Sequence, residues 1–397
     1  MDGSGRFKNR IEEEVPFRKI DSVLSSKLGR SPSSRNIVSK ILKYDEKILT
    51  DGGKRVRIAI PFLMAEGLEL NLRESELIEA LIPIEIYHGA SLIMDDVIDQ
   101  DEMRRGMDTP HQKLQEYGFS QKQAESITIL DAAEIQSMSV TASHQMEFLS
   151  AEQRIAISRI VQNSISDISR SQILDISAEN TLDKGFKENL QSNDKPLEFE
   201  EFYIELIEGK TVSLFEAGVE ILEVISGENL CHLSKYMSEL GKAFQIRDDI
   251  LDVIGGEEEI NIDQRPESDK IGKDRYSDLK EGSMTLPIFY GLEMAREKPL
   301  EKLDEGQKID SLRDKLKISF KTRKQFLEAI LEDDDPKDLD LCVAAKILED
   351  CGAIEKAQNK AEKHADKAAK HLKKSDLTGK HIEILEKAAH YVATRTR

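Results

Sequence analysis

Two clusters of paired aspartates carry the clearest chemistry in this sequence. Asp95-Asp96-Val97-Ile98-Asp99 closes an apolar, helix-spaced run, and Asp248-Asp249-Ile250-Leu251-Asp252 repeats the spacing inside another. In each cluster the first and last carboxylates stand at i and i+4, so a helix projects both from one face. Like charges at that spacing repel unless a cation lies between them. Hard oxygen ligands suit Mg²⁺, which takes one or two carboxylates and completes its octahedron with water and phosphate oxygens. One such motif says little where Asp and Glu make up 76 of 397 residues; it reads equally as a solvated helix end. Two of them, each set among core-type residues, are costly without a counter-charge and point to a shared metal site.

Basic residues supply the other half. Gly52-Gly53-Lys54-Arg55-Val56-Arg57 places Lys54 and Arg57 one helical turn apart, Arg104-Arg105-Gly106 follows the first cluster, Gly209-Lys210-Thr211 lies mid-chain, and Lys273 follows the second cluster. The formal charge is −19, from 57 Lys and Arg against 76 Asp and Glu. In so acidic a chain, cations beside acidic clusters point to a ligand more negative than the carboxylates tolerate alone. Diphosphate fits, with Mg²⁺ bridging it to Asp while Arg and Lys take the remaining oxygens. Each close charge pair is worth roughly 4 kcal/mol before desolvation at an effective dielectric of about 20. The turn before Lys54 lacks the spacing of a Walker A loop. His88 stands two helical turns before Asp95 on the same face, which favours a pocket role over a structural one. Gln172 and Asp175 read either as site residues or as a buried hydrogen-bonded pair.

The elements that must position these groups are helices. Only 10 prolines and 22 glycines punctuate the chain. Between them apolar residues recur at three- and four-residue spacing, as in Ile78, Leu81, Ile82, Ile86 and Leu92, on an amphipathic helix running to Asp95 and Asp96. Segments 200–225 and 232–254 read the same way, and no stretch sustains period-two alternation. The expected fold class is all-α, without strands. Asp51-Gly52-Gly53 reads as a turn, 185–198 and 255–282 as loops, Asp333-Asp334-Asp335-Pro336 as a stop between helices, and Ala344 to Ala389 as Ala/Lys/Glu-rich helix. No composition shift or repeat divides the chain. The expectation is one domain over 1–397, with a motif-bearing core at about 50–290 and a charged helical part at 299–397.

The acidic balance argues against a nucleic-acid partner. Cys231, Cys342 and Cys351 form no CxxC pair and read as reduced thiols. The first residues lack an apolar leader segment, and no uncharged apolar run approaches the roughly 18 residues that span a bilayer. A soluble, cytoplasmic protein is expected.

With these residues in view, the sequence resembles the trans-prenyl diphosphate synthases, the polyprenyl synthetase family. The matching elements are GGKRVR (52–57), HGASLIMDDVIDQDEMRRG (88–106), SQILD (171–175), EGKT (208–211), FQIRDDILD (244–252) and GKDRYSDLKEGSMTLP (272–287), in family order. The resemblance implies a single large helical bundle around a central prenyl-binding cavity, assembled as a homodimer. It implies a magnesium-dependent prenyltransferase that ionises an allylic diphosphate, joins it head-to-tail to isopentenyl diphosphate and releases a proton. Lys54, Arg57, His88 and Arg105 would bind the isopentenyl diphosphate. Asp95, Asp99 and Asp248 would hold Mg²⁺, three ions once substrate is bound, with Asp96, Asp249 and Asp252 completing or supporting the clusters. Arg104, Lys210 and Lys273 would neutralise the allylic diphosphate, and Thr211 and Gln245 would offer oxygen dipoles to the allylic cation.

Chain length would be set upstream of Asp95. Ala90 is small, as in enzymes that elongate beyond C15, while Tyr87 is bulky and stands as a floor. This favours a C20 product, geranylgeranyl diphosphate. Two departures from the family pattern stand out. Ser283 takes the place of a lysine before Thr285-Leu286-Pro287, and Ile129-Leu130-Asp131 takes the place of a Gly-Asp pair. Ser283 leaves room for a rival reading, a weakly active partner subunit of an active synthase. A class I terpene cyclase shares the first aspartate cluster but not the two basic elements that this chain carries at 52–57 and 104–106.

Overall fold

The computed structural model describes residues 14–28, 55–104, 107–189, 196–254, 276–295, 298–300, 321–333 and 335–396, with the backbone alone for 178–189 and 196–198. Helical spacing of apolar residues gives helices along nearly all of this. They are α1 (Phe17–Leu28), α2 (Val56–Gly67), α3 (Glu74–Ile98), α4 (Pro110–Glu116), α5 (Gln121–His144) and α6 (Ala151–Asn189). Next come α7 (Pro196–Ile207), a π-helical turn (Glu208–Val212), α8 (Ser213–Ser226) and α9 (Cys231–Ile254). The last are α10 (Ser277–Glu281), α11 (Leu286–Met294), α12 (Arg323–Leu331), α13 (Asp338–Asp350), α14 (Ala353–Leu372) and α15 (Gly379–Thr394).

Helix α3 is enclosed rather than amphipathic. Every residue from Ala80 to Tyr87 is buried, which is more than two turns with no open face. Helices α1, α2, α5, α6 and α8 pack around it. By length and composition α3 could cross a membrane, but 72% of its most apolar stretch is buried inside the protein, as for a core helix. The second layer centres on α9, packed against α14 and α15, with α8 touching both layers. Alanines at 357, 361, 365 and 368 are fully buried along α14, so its backbone lies close to α9.

Three further expectations change. A two-residue antiparallel pair forms, β1 (Met103–Arg104) with β2 (Met107–Asp108), too short for any alternation to show in sequence. The 185–198 segment is helical at both ends, to Asn189 and from Pro196, and 277–281 within the second expected loop is the short helix α10. The alanine-rich tail is three helices. Gly352, at φ 90°, ends α13, and Lys373 to Thr378 separate α14 from α15. The stop around Asp333 and Asp335 falls between α12 and α13. The turn at 51–53 lies outside the described residues.

Candidate active site

The first aspartate cluster ends α3. Asp101 N donates to Asp96 O at 3.0 Å and Gln100 sits at φ 56°, a Schellman stop with glutamine where glycine is usual. Gln100 Nε2 offsets part of that strain by donating to Val97 O at 2.6 Å. The stop leaves Asp99 exposed and Asp95 half-buried above it, both on one face. Asp96 points inward and is fully buried. The β1–β2 pair folds the chain back so that Arg104 Nε donates to Asp96 Oδ1 at 2.5 Å and lies 3.7 Å from Asp101. Burial pushes the Asp96 carboxyl up to about 6, against the pull of Arg104. Asp96 is thus a buried anchor, while Asp95 and Asp99 face outward.

The second cluster divides the same way. Asp248 keeps a side chain 39% exposed, whereas Asp249 and Asp252 are committed to the protein. Asp249 accepts from Tyr203 Oη at 2.5 Å and from Gln245 Nε2 at 2.8 Å. Asp252 accepts from the Asp278 N–H at 2.9 Å and from the Ser277 hydroxyl, and so seats the start of α10. Asp248 forms an ion pair with Arg395, which comes from the far end of the chain. The Arg395 guanidinium also lies over the Phe244 ring, 4.3 Å from its centre.

The π turn joins the two clusters. At Gly209 any Cβ would come within 1.8 Å of Ser171 Oγ, so glycine lets α6 approach. One turn further along α6, Asp175 meets Lys210 Nζ at 2.9 Å. Burial lowers the Lys210 pKa, but Asp175, Asp95 and Asp99 outweigh it and hold the amine above its usual range. On the other side Gly241 lets α9 close on Val212, where a Cβ would stand 3.0 Å from its Cγ2. One turn on, Gln245 Oε1 accepts from Thr211 Oγ1 at 2.6 Å. Consecutive residues, Lys210 and Thr211, therefore address different clusters. They stand in a π turn, and such turns gather at functional sites.

Arg57 and His88, expected to share one diphosphate, meet directly, with Arg57 Nη1 3.0 Å from His88 Nε2. The guanidinium stacks near Phe215 and Phe244, 5.0 and 5.6 Å from the ring centres, and burial lowers its pKa. Gln172 and Asp175 do not form a buried pair. Gln172 Oε1 is buried without a partner, while Asp175 is half-exposed and bonded to Lys210. Tyr87 is buried and its hydroxyl donates to Ile165 O at 3.4 Å, bolting α3 to α6; Ala90 is fully buried. Lys54, Arg105 and Lys273 lie outside the described residues. Ser283 is half-buried and donates its N–H to Asp278 O at 2.8 Å.

Three residues escaped the sequence reading. Arg55, the middle cation of the basic turn, is 4% exposed and bonds Asp21 at 2.9 Å and Glu85 at 2.8 Å. It adopts φ 50° at the head of α2 and fixes where Arg57 begins. Its only sequence signal was the motif around it. Tyr203 gave none, and Arg395 only a basic end on an acidic chain.

These carboxylates fit a divalent cation. Asp95 and Asp99 turn outward and draw on Lys210, and Asp248 already holds a cation, the Arg395 guanidinium. Among the described residues no three acidic, histidine or cysteine side chains converge to hold a metal alone. The outward carboxylate oxygens of Asp95, Asp99 and Asp248 are hard donors that suit Mg²⁺, whose remaining ligands are water and diphosphate.

Comparison with known proteins agrees with this geometry. The profile of the family described as polyprenyl synthetase matches residues 37–318. A short chain isoprenyl diphosphate synthase of Methanothermobacter thermautotrophicus is 30% identical over 269 residues, 66% of this chain and 70% of its own. A geranylgeranyl diphosphate synthase of Saccharolobus solfataricus is 29% identical over 354 residues, 88% and 87% of the two chains. The crystal structure of a polyprenyl synthase from Caulobacter crescentus, complexed with calcium and isoprenyl diphosphate, superposes with a TM-score of 0.71 at 20% identity, covering 100% of this chain and 98% of that one. Its fold is the fold seen here. With both aspartate clusters gathered about one π turn and the family profile spanning most of its length, this chain belongs to the polyprenyl synthetase family, magnesium-dependent prenyltransferases that make polyprenyl diphosphates.

Proposed function

We propose that the enzyme condenses isopentenyl diphosphate with allylic diphosphates and stops at C20, geranylgeranyl diphosphate. Relatives named for farnesyl, geranylgeranyl and octaprenyl products match at 26–29% identity, so the product must be argued from this chain's own residues. The observation that carries the C20 reading is Tyr87, buried and tied to the backbone of α6 two turns below Asp95. Each helical turn is about 5.4 Å, of the order of one prenyl unit.

In this reading Asp95, Asp99 and Asp248 would hold the Mg²⁺, three ions with substrate bound, which would supply positive charge to the departing diphosphate. Lys210 adds its charge on the same side. Arg104 stays on Asp96, and any contact with the allylic diphosphate would be in addition to that pairing. Arg57 and His88, with Lys54 and Arg105, grip the second diphosphate. The allylic C–O bond breaks, the isopentenyl double bond supplies the electrons of the new C–C bond, and a proton leaves. Thr211 and Gln245 turn oxygen dipoles toward the transient positive charge, and the apolar walls keep water away.

Exposed apolar side chains support a homodimer. Ile129 and Leu130 on α5 and Ile155 and Ile173 on α6 are 47%, 70%, 53% and 65% exposed. The three free cysteines suit a reducing cytoplasm. Product sizing of Tyr87→Ala tests the length reading. Products longer than C20 are expected, and an unchanged product removes Tyr87 as the floor. The rival, a non-catalytic or weakly active partner subunit, requires the purified chain alone to show little or no activity.

A further inference from the structure

We propose that Tyr203 is a positioning residue for the condensation, acting through Asp249 and Gln245 on Thr211. The chain of contacts is continuous and crosses three elements. Tyr203 Oη on α7 meets Asp249 Oδ2 at 2.5 Å, Gln245 Nε2 meets Asp249 Oδ1 at 2.8 Å, and Thr211 Oγ1 meets Gln245 Oε1 at 2.6 Å. Tyr203 and Asp249 are 3% and 6% exposed, so water does not compete for these bonds.

The direction of every proton follows from donor inventory. An ionised carboxylate only accepts, so Asp249 must face the Gln245 NH₂ group and the tyrosine O–H. That choice leaves the Gln245 carbonyl toward Thr211, whose single proton must then point at it. Both oxygens therefore keep only lone pairs for anything else. Acceptors without a free proton suit a passing positive charge and cannot donate to the reacting double bond. Tyr203 is the end of the chain that fixes the rest. Without its hydroxyl, Asp249 Oδ2 is a buried acceptor lacking its partner, and the carboxylate is free to rotate and release the amide.

A second consequence concerns the neighbouring metal ligand. With both Asp249 oxygens engaged by neutral donors, only Asp248 of the adjacent pair keeps a partly exposed carboxylate, paired with the Arg395 guanidinium. Tyr203 thus separates two aspartates of identical chemistry into one that positions and one that binds. Phe199 stacks on Tyr203 with ring centres 6.4 Å apart, holding the phenol plane. Tyr203 is buried and its hydroxyl is spent on Asp249, so its influence on the reacting centre is indirect.

The proposal rests on reading Thr211 and Gln245 as groups that serve the reacting centre. The test is a double-mutant cycle on steady-state rates with purified enzyme, Mg²⁺, isopentenyl diphosphate and a C15 allylic starter. Tyr203→Phe keeps the ring and removes the hydroxyl. It should lower kcat roughly tenfold, below the 10²–10³-fold of a donor that touches the reacting atoms, and leave both KM values within about twofold. In a Gln245→Ala background the same change should cost less than about twofold, because the chain it acts through is already cut. Equal tenfold losses in both backgrounds would overturn the relay while leaving the reading of Gln245 standing. If Gln245→Ala alone leaves kcat unchanged, that reading fails and takes the relay with it. A Tyr203→Phe loss confined to KM, or one tracking a drop in melting temperature below the assay temperature, also overturns it.

Discussion

Replacing Arg395 by alanine should tighten the binding of a divalent cation to the substrate-free enzyme. Arg395 pairs with Asp248, and the two side chains are 5% and 39% exposed. A close pair is worth roughly 4 kcal/mol at an effective dielectric of about 20. Much of this is lost to desolvation and side-chain ordering, and half-exposed pairs net about 1 kcal/mol. An incoming ion must displace the guanidinium, so removing it should improve affinity about fivefold. The backbone at Arg395 is held independently, because Arg247 Nε donates to Arg395 O at 2.7 Å and Gln358 Nε2 to Ala393 O at 3.0 Å. The variant should therefore keep its fold, which a thermal melt checks. Free Mn²⁺ measured by electron paramagnetic resonance during titration gives the affinity directly. Arg395→Lys should fall between wild type and alanine, and added salt should shrink the difference. Unchanged or weaker Mn²⁺ binding by Arg395→Ala would refute the idea that the two cations share Asp248.

Other consequences follow from the same contacts. Arg55→Ala strands Glu85, which is 5% exposed, and should destabilise the fold by about 3–5 kcal/mol in denaturant titration. Arg55→Met with Glu85→Leu should recover most of that, whereas a loss under about 1 kcal/mol for the single variant contradicts the buried-pair account. In EDTA, the stability that Asp96 contributes should depend on pH in a defined direction. Its folded pKa is about 6 against an ordinary 3.8, so the folded state holds the proton more tightly. That contribution is fully present below about pH 4 and lost as pH rises through 6. Wild type should therefore lose stability relative to Asp96→Asn between pH 4 and 6 and run parallel above 7, and an opposite slope is the contrary result. Ser283→Lys should lower the Michaelis constant for the allylic substrate several-fold by adding a cation for its diphosphate. An unchanged constant would mean that this position no longer faces the diphosphate.

The residues that the fold gathers at the site were legible because their pattern depends on residue type at short spacing. Asp95 and Asp99, Lys210 and Thr211, and Gln245 and Asp248 each announce themselves within a few residues. The division of labour inside each cluster was not legible. Asp96 and Asp249 carry the same side chain as Asp95 and Asp248. What separates them is burial, created by a two-residue hairpin that returns Arg104 to Asp96 and by Tyr203 reaching across from α7. The Arg395 pair with Asp248 joins residues 147 positions apart, and no local pattern reports such a contact. For α3 the apolar spacing marked a helix correctly, but its enclosure depends on five neighbouring helices, and neighbours are not written in a period. The alanine-rich tail read correctly as helical because alanine favours helix everywhere, while the break at Gly352 rests on one left-handed residue.

The most direct test of the account is to incubate the purified chain with labelled isopentenyl diphosphate and each allylic starter, C5, C10 and C15, with Mg²⁺ and with EDTA, and to size the products. The account predicts longer all-trans prenyl diphosphates that form only with Mg²⁺ and accumulate at C20. Absence of any elongated product with all three starters, or elongation that persists in EDTA, would contradict it.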